Sequence, residues 1–134
     1  MSGDKLSFFT AKNTGVTANT DYKQLTGSVA ITNNIFHFVV ATWDGSNIRI
    51  YVDGKSDGVV AWANAPVYQA TNYVRIGCQN NTGTNINFFT GSLDDLFLLN
   101  GTALTSDEIY SLYKTGVKKL NGQVNLNPEL ESTS

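Results

Sequence analysis

Few side chains in this sequence are of the kinds that move protons, hold metals or attack carbonyls. There is one histidine, His37, one cysteine, Cys78, and only three glutamates, Glu108, Glu129 and Glu131. A single His and a single Cys do not assemble a Ser-His-Asp or Cys-His nucleophile. A lone Cys also excludes an internal disulfide framework and a multi-cysteine zinc site. Cys78 reads instead as a small hydrophobe on a strand. His37 sits inside the apolar run 36–43, the place of a sheet-surface or core residue rather than a ligand. The aspartates remain. Asp94 and Asp95 are adjacent, and neighbours on a strand point to opposite faces, so they do not form a paired acid site. Calcium asks for roughly six to eight oxygens from carboxylates, amides and main chain. Asp53, Asp57, Asp94 and Asp95, with the Asn80-Asn81 loop, are the residues that would supply them, although no EF-hand-like register is present.

Binding without reaction has better candidates. Trp62, Tyr68 and Tyr73 flank the stretch Ala63-Asn64-Ala65-Pro66, and Asn80, Asn81, Thr82 and Asn85 lie in the next polar loop. Sugar rings stack on aromatic faces while amides hold their hydroxyls, the usual mixture of an apolar platform and a few polar anchors. The competing reading places Trp62 and Tyr73 in the core, where large aromatics are often buried.

Such residues need elements to position them, and the composition says which kind. Asn and Thr each occur fifteen times and Gly twelve times in 134 residues. Thr favours strands, and Asn and Gly favour turns, so the chain is expected to be all-β with many loops. Its length suits one domain. The net charge of -2 and the lack of a basic patch argue against a nucleic-acid partner. Apolar stretches are interrupted every few residues, so membrane insertion is not expected, and Met1 to Lys5 lacks the apolar core of a signal peptide.

Strands are expected over 5–10, 24–31, 36–43, 48–52, 59–62, 73–78 and 88–99, with 79–87 as a polar loop and Gly91 as a bulge or close approach. The run 36–43 is apolar on both alternating faces, which predicts a central strand. Between them, "WDGSNIRIYVDGK" at 43–55 holds two Asp-Gly pairs, each with the turn chemistry of a hairpin. Ser56-Asp57-Gly58 reads as a further turn. Thr105-Ser106-Asp107-Glu108 is a capping box, with Leu104 and Ile109 placed as a hydrophobic staple. A short helix of about three turns follows, with Gly116 as its natural stop. Residues 117–134 read as a tail or linker, which leaves 1–116 as the domain.

The segments "FHFVVATWDGSNIRIYVDGK", "VRIGCQN" and "FFTGSLDDLFLLNGTALTSDEIYSLYKTG" occur in an order that resembles laminin-G-like members of the concanavalin A-like lectin/glucanase superfamily, over about residues 36–116. The resemblance implies an antiparallel β-sandwich of jelly-roll type with one short C-terminal helix. It implies that Asp94 and Asp95 tie loop and helix together, and that calcium at the sandwich rim is the cofactor to consider, if there is one. Superfamily hydrolases cluster carboxylates as Glu-x-Asp-x-x-Glu, because one group must act as acid and another as nucleophile or base. Here Glu108 is spent on a helix cap and Glu129 and Glu131 fall in the tail, so no enzyme is expected. The strands that usually precede the stretch beginning at Lys5 are missing; a fragment, a shortened variant or pairing by a neighbouring chain would each account for that. The expected function is a non-catalytic recognition module, glycan-binding or adhesive, in an extracellular, cell-surface or virion protein. The alternative is a structural assembly domain that packs against copies of itself or other chains. Its partner is therefore a glycan or a protein surface, including a homo-oligomer.

Overall fold

The computed structural model describes residues 4–12, 17–66, 74–81 and 83–120. Along the chain lie β1 (Asp4–Ala11), β2 (Tyr22–Ile31), β3 (Val39–Trp43), β4 (Asn47–Val52), β5 (Lys55–Ala61), β6 (Gln79–Asn81), β7 (Thr84–Ile86) and α1 (Ser106–Leu120). Every strand pairing is antiparallel. β1 pairs with β2, β3–β4–β5 form a sheet with β4 in the centre, and β6 pairs with β7. The β1–β2 sheet packs on β4 and β5. The all-β antiparallel architecture with one helix is the one expected.

The two Asp-Gly pairs both make turns, but different ones. At the first, Asp44 Oδ1 accepts the main-chain N–H groups of Ser46 at 2.9 Å and Asn47 at 2.7 Å, and Gly45 takes φ 90°. At the second, Val52 pairs directly with Lys55, and Asp53 and Gly54 have φ 52° and 76°. Positive φ at both central residues is the two-residue hairpin turn whose twist matches that of its strands.

β4 carries the core. Ile48 and Ile50 are fully buried, and Val52 nearly so, as the alternation predicts. Leu25 of β2 packs beside Gly58, the partner of Ile50. Tyr51, on the opposite face of β4, is also buried, because the start of α1 covers it: its hydroxyl lies 3.4 Å from Ser106 Oγ. β4 is thus the strand covered on both faces. β3 was expected to be central; among the described residues it is instead the edge of its sheet, with Val39 47% exposed. An apolar run on both faces marks surface to be covered, and the strand alone does not say by what.

Two bulges interrupt the ladders. On β5, Ile50 pairs with Gly58 and Tyr51 with Ser56, so Asp57 is the extra residue; the turn expected at Ser56-Asp57-Gly58 is this bulge inside a strand. On β2, the register jumps from Lys5↔Ala30 to Ser7↔Thr26, which leaves residues 27–29 opposite Leu6.

The capping box forms as read. Thr105 N and Oγ1 donate to Glu108 Oε2 at 2.8 and 2.9 Å, and Glu108 N donates back to Thr105 Oγ1 at 3.3 Å. Ile109 is fully buried. Gly116 does not stop the helix, which continues to Leu120, past the expected boundary between domain and tail. Gly116 lacks the left-handed φ of a C-terminal cap, and the Val-Lys-Lys-Leu that follows has adequate helix propensity. Residues 121–134 lie outside those described.

The strands expected over 73–78 and 88–99 are not formed among the described residues; Phe89 N donates to Gly77 O at 2.8 Å, and the run 79–87 contains the β6–β7 hairpin instead of a loop. Strand propensity becomes a strand only when a neighbour completes the ladder.

Candidate functional site

Two concavities lie along β3. One cleft, about 320 Å³, runs beside Phe36 to Trp43 and is closed on its far side by 92–99 and 102–104. A second, about 390 Å³, shares Phe36, His37, Phe38 and 94–97 with the first and reaches α1 at Leu112, Tyr113, Thr115 and Gly116. Their walls are mainly aliphatic and aromatic, with Asp94 and Asp95 among the lining of both. The position of β3 follows from the β3–β4 hairpin, and α1 is held against that hairpin's neighbour: the Tyr110 and Tyr113 rings lie over Gly54, and Phe38 and Tyr113 have ring centroids 6.2 Å apart.

At the mouth of the hairpin His37 and Asp53 form a fixed pair. His37 Nδ1 lies 2.8 Å from Asp53 Oδ2, while Thr32 N–H donates to His37 Nε2 at 3.1 Å. An Nε2 that accepts a main-chain N–H carries no proton, so Nδ1–H is the donor to Asp53. Both ring nitrogens are engaged, and neither is free to relay a proton. Asp53 Oδ1 accepts Phe38 N at 3.0 Å and Asp53 N donates to Phe38 O at 2.8 Å, so this carboxylate staples the hairpin mouth.

Asp57 does the corresponding work between the sheets. Its Oδ1 accepts Ser28 N at 2.9 Å, Ser28 Oγ at 2.9 Å and Val29 N at 3.0 Å. The two bulges explain the contact: one turns the Asp57 side chain away from its ladder, and the other frees the β2 amides to meet it. Burial pushes the Asp57 carboxyl up, but the hydrogen bonds from Ser28 and Val29, helped by the Lys5 charge, outweigh it and hold the group below its ordinary 3.8. Asp44 is held at about 2, first by the hydrogen bond from Arg49 and then by the amides of Asn47 and Ser46. Glu108 is lowered by its hydrogen bonds from Thr105.

All three shifts have the same sign. A carboxylate more acidic when folded than when unfolded stabilises the fold above its ordinary range, and that contribution is lost as pH falls. Urea unfolding between pH 7 and pH 2 should therefore show stability level down to about pH 4.5 and falling below it. A profile flat to about pH 2 would show these carboxylates to be bystanders.

The expected binding and metal residues scatter. Trp62 is 6% exposed and part of the core, so the exposed aromatic platform expected there is not present; Trp62 follows a strand whose inner face it continues, and its carbonyl accepts the Trp43 indole N–H at 2.7 Å. Tyr68 and Tyr73 lie outside the described residues. The backbones of Asn80 and Asn81 form β6, with side chains outside the description, and Asn85 is exposed on β7, opposite Asn80. Asp53 and Asp57 are committed to main-chain donors as described, and Asp94 Oδ1 accepts Asp95 N at 2.9 Å. Among the described residues no three His, Cys, Asp or Glu side chains converge as a metal ion would require. What sequence reasoning missed is the β3 cleft. Its signal was present in "VVATW", a strand without a charge, a glycine or a proline.

A search of curated proteins gives no match. Among solved structures, the chain resembles an S-layer domain-containing protein (residues 221-444) from Clostridium thermocellum ATCC 27405, with a TM-score of 0.54 and 24% identity over 69% of this chain and 46% of that one. This chain thus spans less than half of that structure. The family model Laminin_G_3, of the concanavalin A-like lectin/glucanases superfamily, matches residues 1–110, so β1 and β2 fall within the match as well as the segments from 36 onward. A sandwich of antiparallel sheets closed by a capped helix, matched over most of its length, places this chain in the laminin G-like family of the concanavalin A-like superfamily.

Proposed function

We propose that this domain is a non-catalytic assembly module of a cell-surface or extracellular protein, which binds protein through the apolar face beside β3. One observation carries the reading. Phe88, Phe89, Leu93, Leu96, Phe97, Leu98 and Leu99 are each 45% to 90% exposed. At roughly 150–250 Å² for a large side chain, their exposed parts sum to on the order of 800 Å² along this one segment. The largest patch on an ordinary monomer is about 300–600 Å², and a standard protein interface takes about 800 Å² from each partner. The family and the S-layer likeness support a surface setting. Engagement of both nitrogens of His37 supports the absence of catalysis, and the burial of Trp62 weighs against the glycan platform.

Leu98→Asp tests this, because Leu98 is 90% exposed and its loss costs the fold little. Wild-type protein should gain mass with concentration in light scattering, and the variant should need at least about tenfold more protein to do so, as a charge in an interface core costs upwards of 1.4 kcal/mol. A wild-type monomer at all concentrations, unchanged by the substitution, would defeat the proposal.

A further inference from the structure

We infer that the protein partner places an arginine side chain in the second cleft, against its aromatic walls and Asp94. The inference rests on the assembly reading and names the chemistry of the partner at that same face.

Rings reach this cleft from three parts of the chain. Phe36 and Phe38 come from the segment that leads into β3, Phe97 from the run 92–99, and Tyr113 from α1. Phe36 is 53% exposed and Phe97 45%, so ring surface is left for a guest. Aromatic faces attract a cation, most strongly where water is excluded. The chain does not supply that cation itself. No Lys or Arg is among the described residues that line the cleft. Lys114 lies over the ring of Tyr110, which is not part of the lining. His37 lines the cleft but brings no positive charge while its Nε2 accepts the Thr32 N–H.

The carboxylate decides what can cover such a surface. Asp94 Oδ1 accepts Asp95 N at 2.9 Å, and among the described residues no Lys or Arg pairs with Asp94. A carboxylate has about four acceptor positions, so most of its capacity remains. A protein that covers Phe97 and Leu96 also takes Asp94 out of water, because the three share one cleft. A desolvated charge without a counter-charge opposes binding, so a wholly apolar partner is selected against. Of the two permanent cations arginine suits this site better. Its planar guanidinium stacks on rings, sheds water more readily than an ammonium, and offers paired donors to a carboxylate.

The probe is the blocked tripeptide acetyl-Gly-Arg-Gly-amide, titrated into the isotope-labelled chain and followed by NMR. The control is the same peptide with citrulline, which keeps the shape of arginine and lacks its charge. The arginine peptide should shift the signals of Phe38, Phe97 and Tyr113 with a Kd on the order of 1 mM, and the citrulline peptide should bind at least about tenfold more weakly. Asp94→Asn keeps an oxygen for Asp95 N and should weaken the arginine peptide about tenfold or more. Phe97→Leu keeps an apolar wall without the ring and should weaken it about two- to fivefold. Equal shifts from both peptides, or arginine binding that Asp94→Asn leaves unchanged, would overturn the inference. Light scattering separates this from the assembly reading. Association that Leu98→Asp weakens, in a chain whose cleft ignores the arginine peptide, would overturn the arginine site alone. A monomer whose cleft also ignores the peptide would overturn both.

Discussion

Gly54→Ala should destabilise the protein by about 2–5 kcal/mol, whereas Gly45→Ala should cost only about 1–2 kcal/mol. The two glycines follow aspartates in turns of different kinds, yet both have left-handed φ, 76° and 90°. A Cβ in that region costs about 1–2 kcal/mol wherever it occurs. The surroundings then separate them. A Cβ at Gly45 meets nothing within 4 Å, while at Gly54 it would lie 2.9 Å from Tyr113 Cδ1 and 3.0 Å from Tyr110 Cδ2. These rings belong to α1, which would have to lift, and overpacking of this kind adds about 1–3 kcal/mol. Equilibrium urea unfolding of the two variants checks the comparison. Equal losses would mean that α1 does not bear on the hairpin as described.

Gly27→Ala should cost about 2–4 kcal/mol in the native background and close to nothing once Asp57 is alanine. Gly27 has ordinary φ, so backbone freedom is not why glycine is there. The reason is space. A Cβ would fall on Asp57 Oδ2 and lie 2.6 Å from Asp57 Cγ. The carboxylate cannot swing aside without losing its bonds to Ser28 and Val29. Asp57→Ala alone should cost about 1.5–3 kcal/mol, the range for hydrogen bonds to a charged group. In that background the space is vacant, and Gly27→Ala should be neutral or gain about 0.4–1 kcal/mol from the reduced freedom of the unfolded chain. A coupling near zero across the four proteins would show that the two bulges are not clasped by this residue. The Asp57 variant should also lose part of the decline in stability at acid pH.

These pairs show what was legible in the sequence and what was not. Local chemistry was legible: the two Asp-Gly turns, the alternation of Ile48, Ile50 and Val52, and the Thr105–Glu108 box all formed, because each depends on residues within a few positions. Position within the sheet was not. β3 and β4 are both apolar, and which is central depends on what lies beyond each edge, a fact carried by distant residues. The same holds for Asp57, whose Asp-Gly dipeptide signals a turn but whose partners are 28 and 29 positions away. The run 88–99 has the composition of a strand and lacks one only because no described neighbour pairs with it. For the site, the aromatic and Asn-rich loops drew attention because polar and ring-bearing residues in loops are conspicuous, while the strand beside the cleft is marked only by its lack of charge, glycine and proline.

The indole contact at the end of the central hairpin has a practical corollary. The chain's two tryptophans meet at that corner, one donating to the carbonyl of the other. Intrinsic fluorescence therefore watches a single joint of the molecule. A red shift in emission would time the parting of β3 from the residue after β5, yet stay silent if α1 peeled away first. Ellipticity at 222 nm would see that earlier event, and any offset between the two melting curves would separate loss of the helix from loss of the sheet.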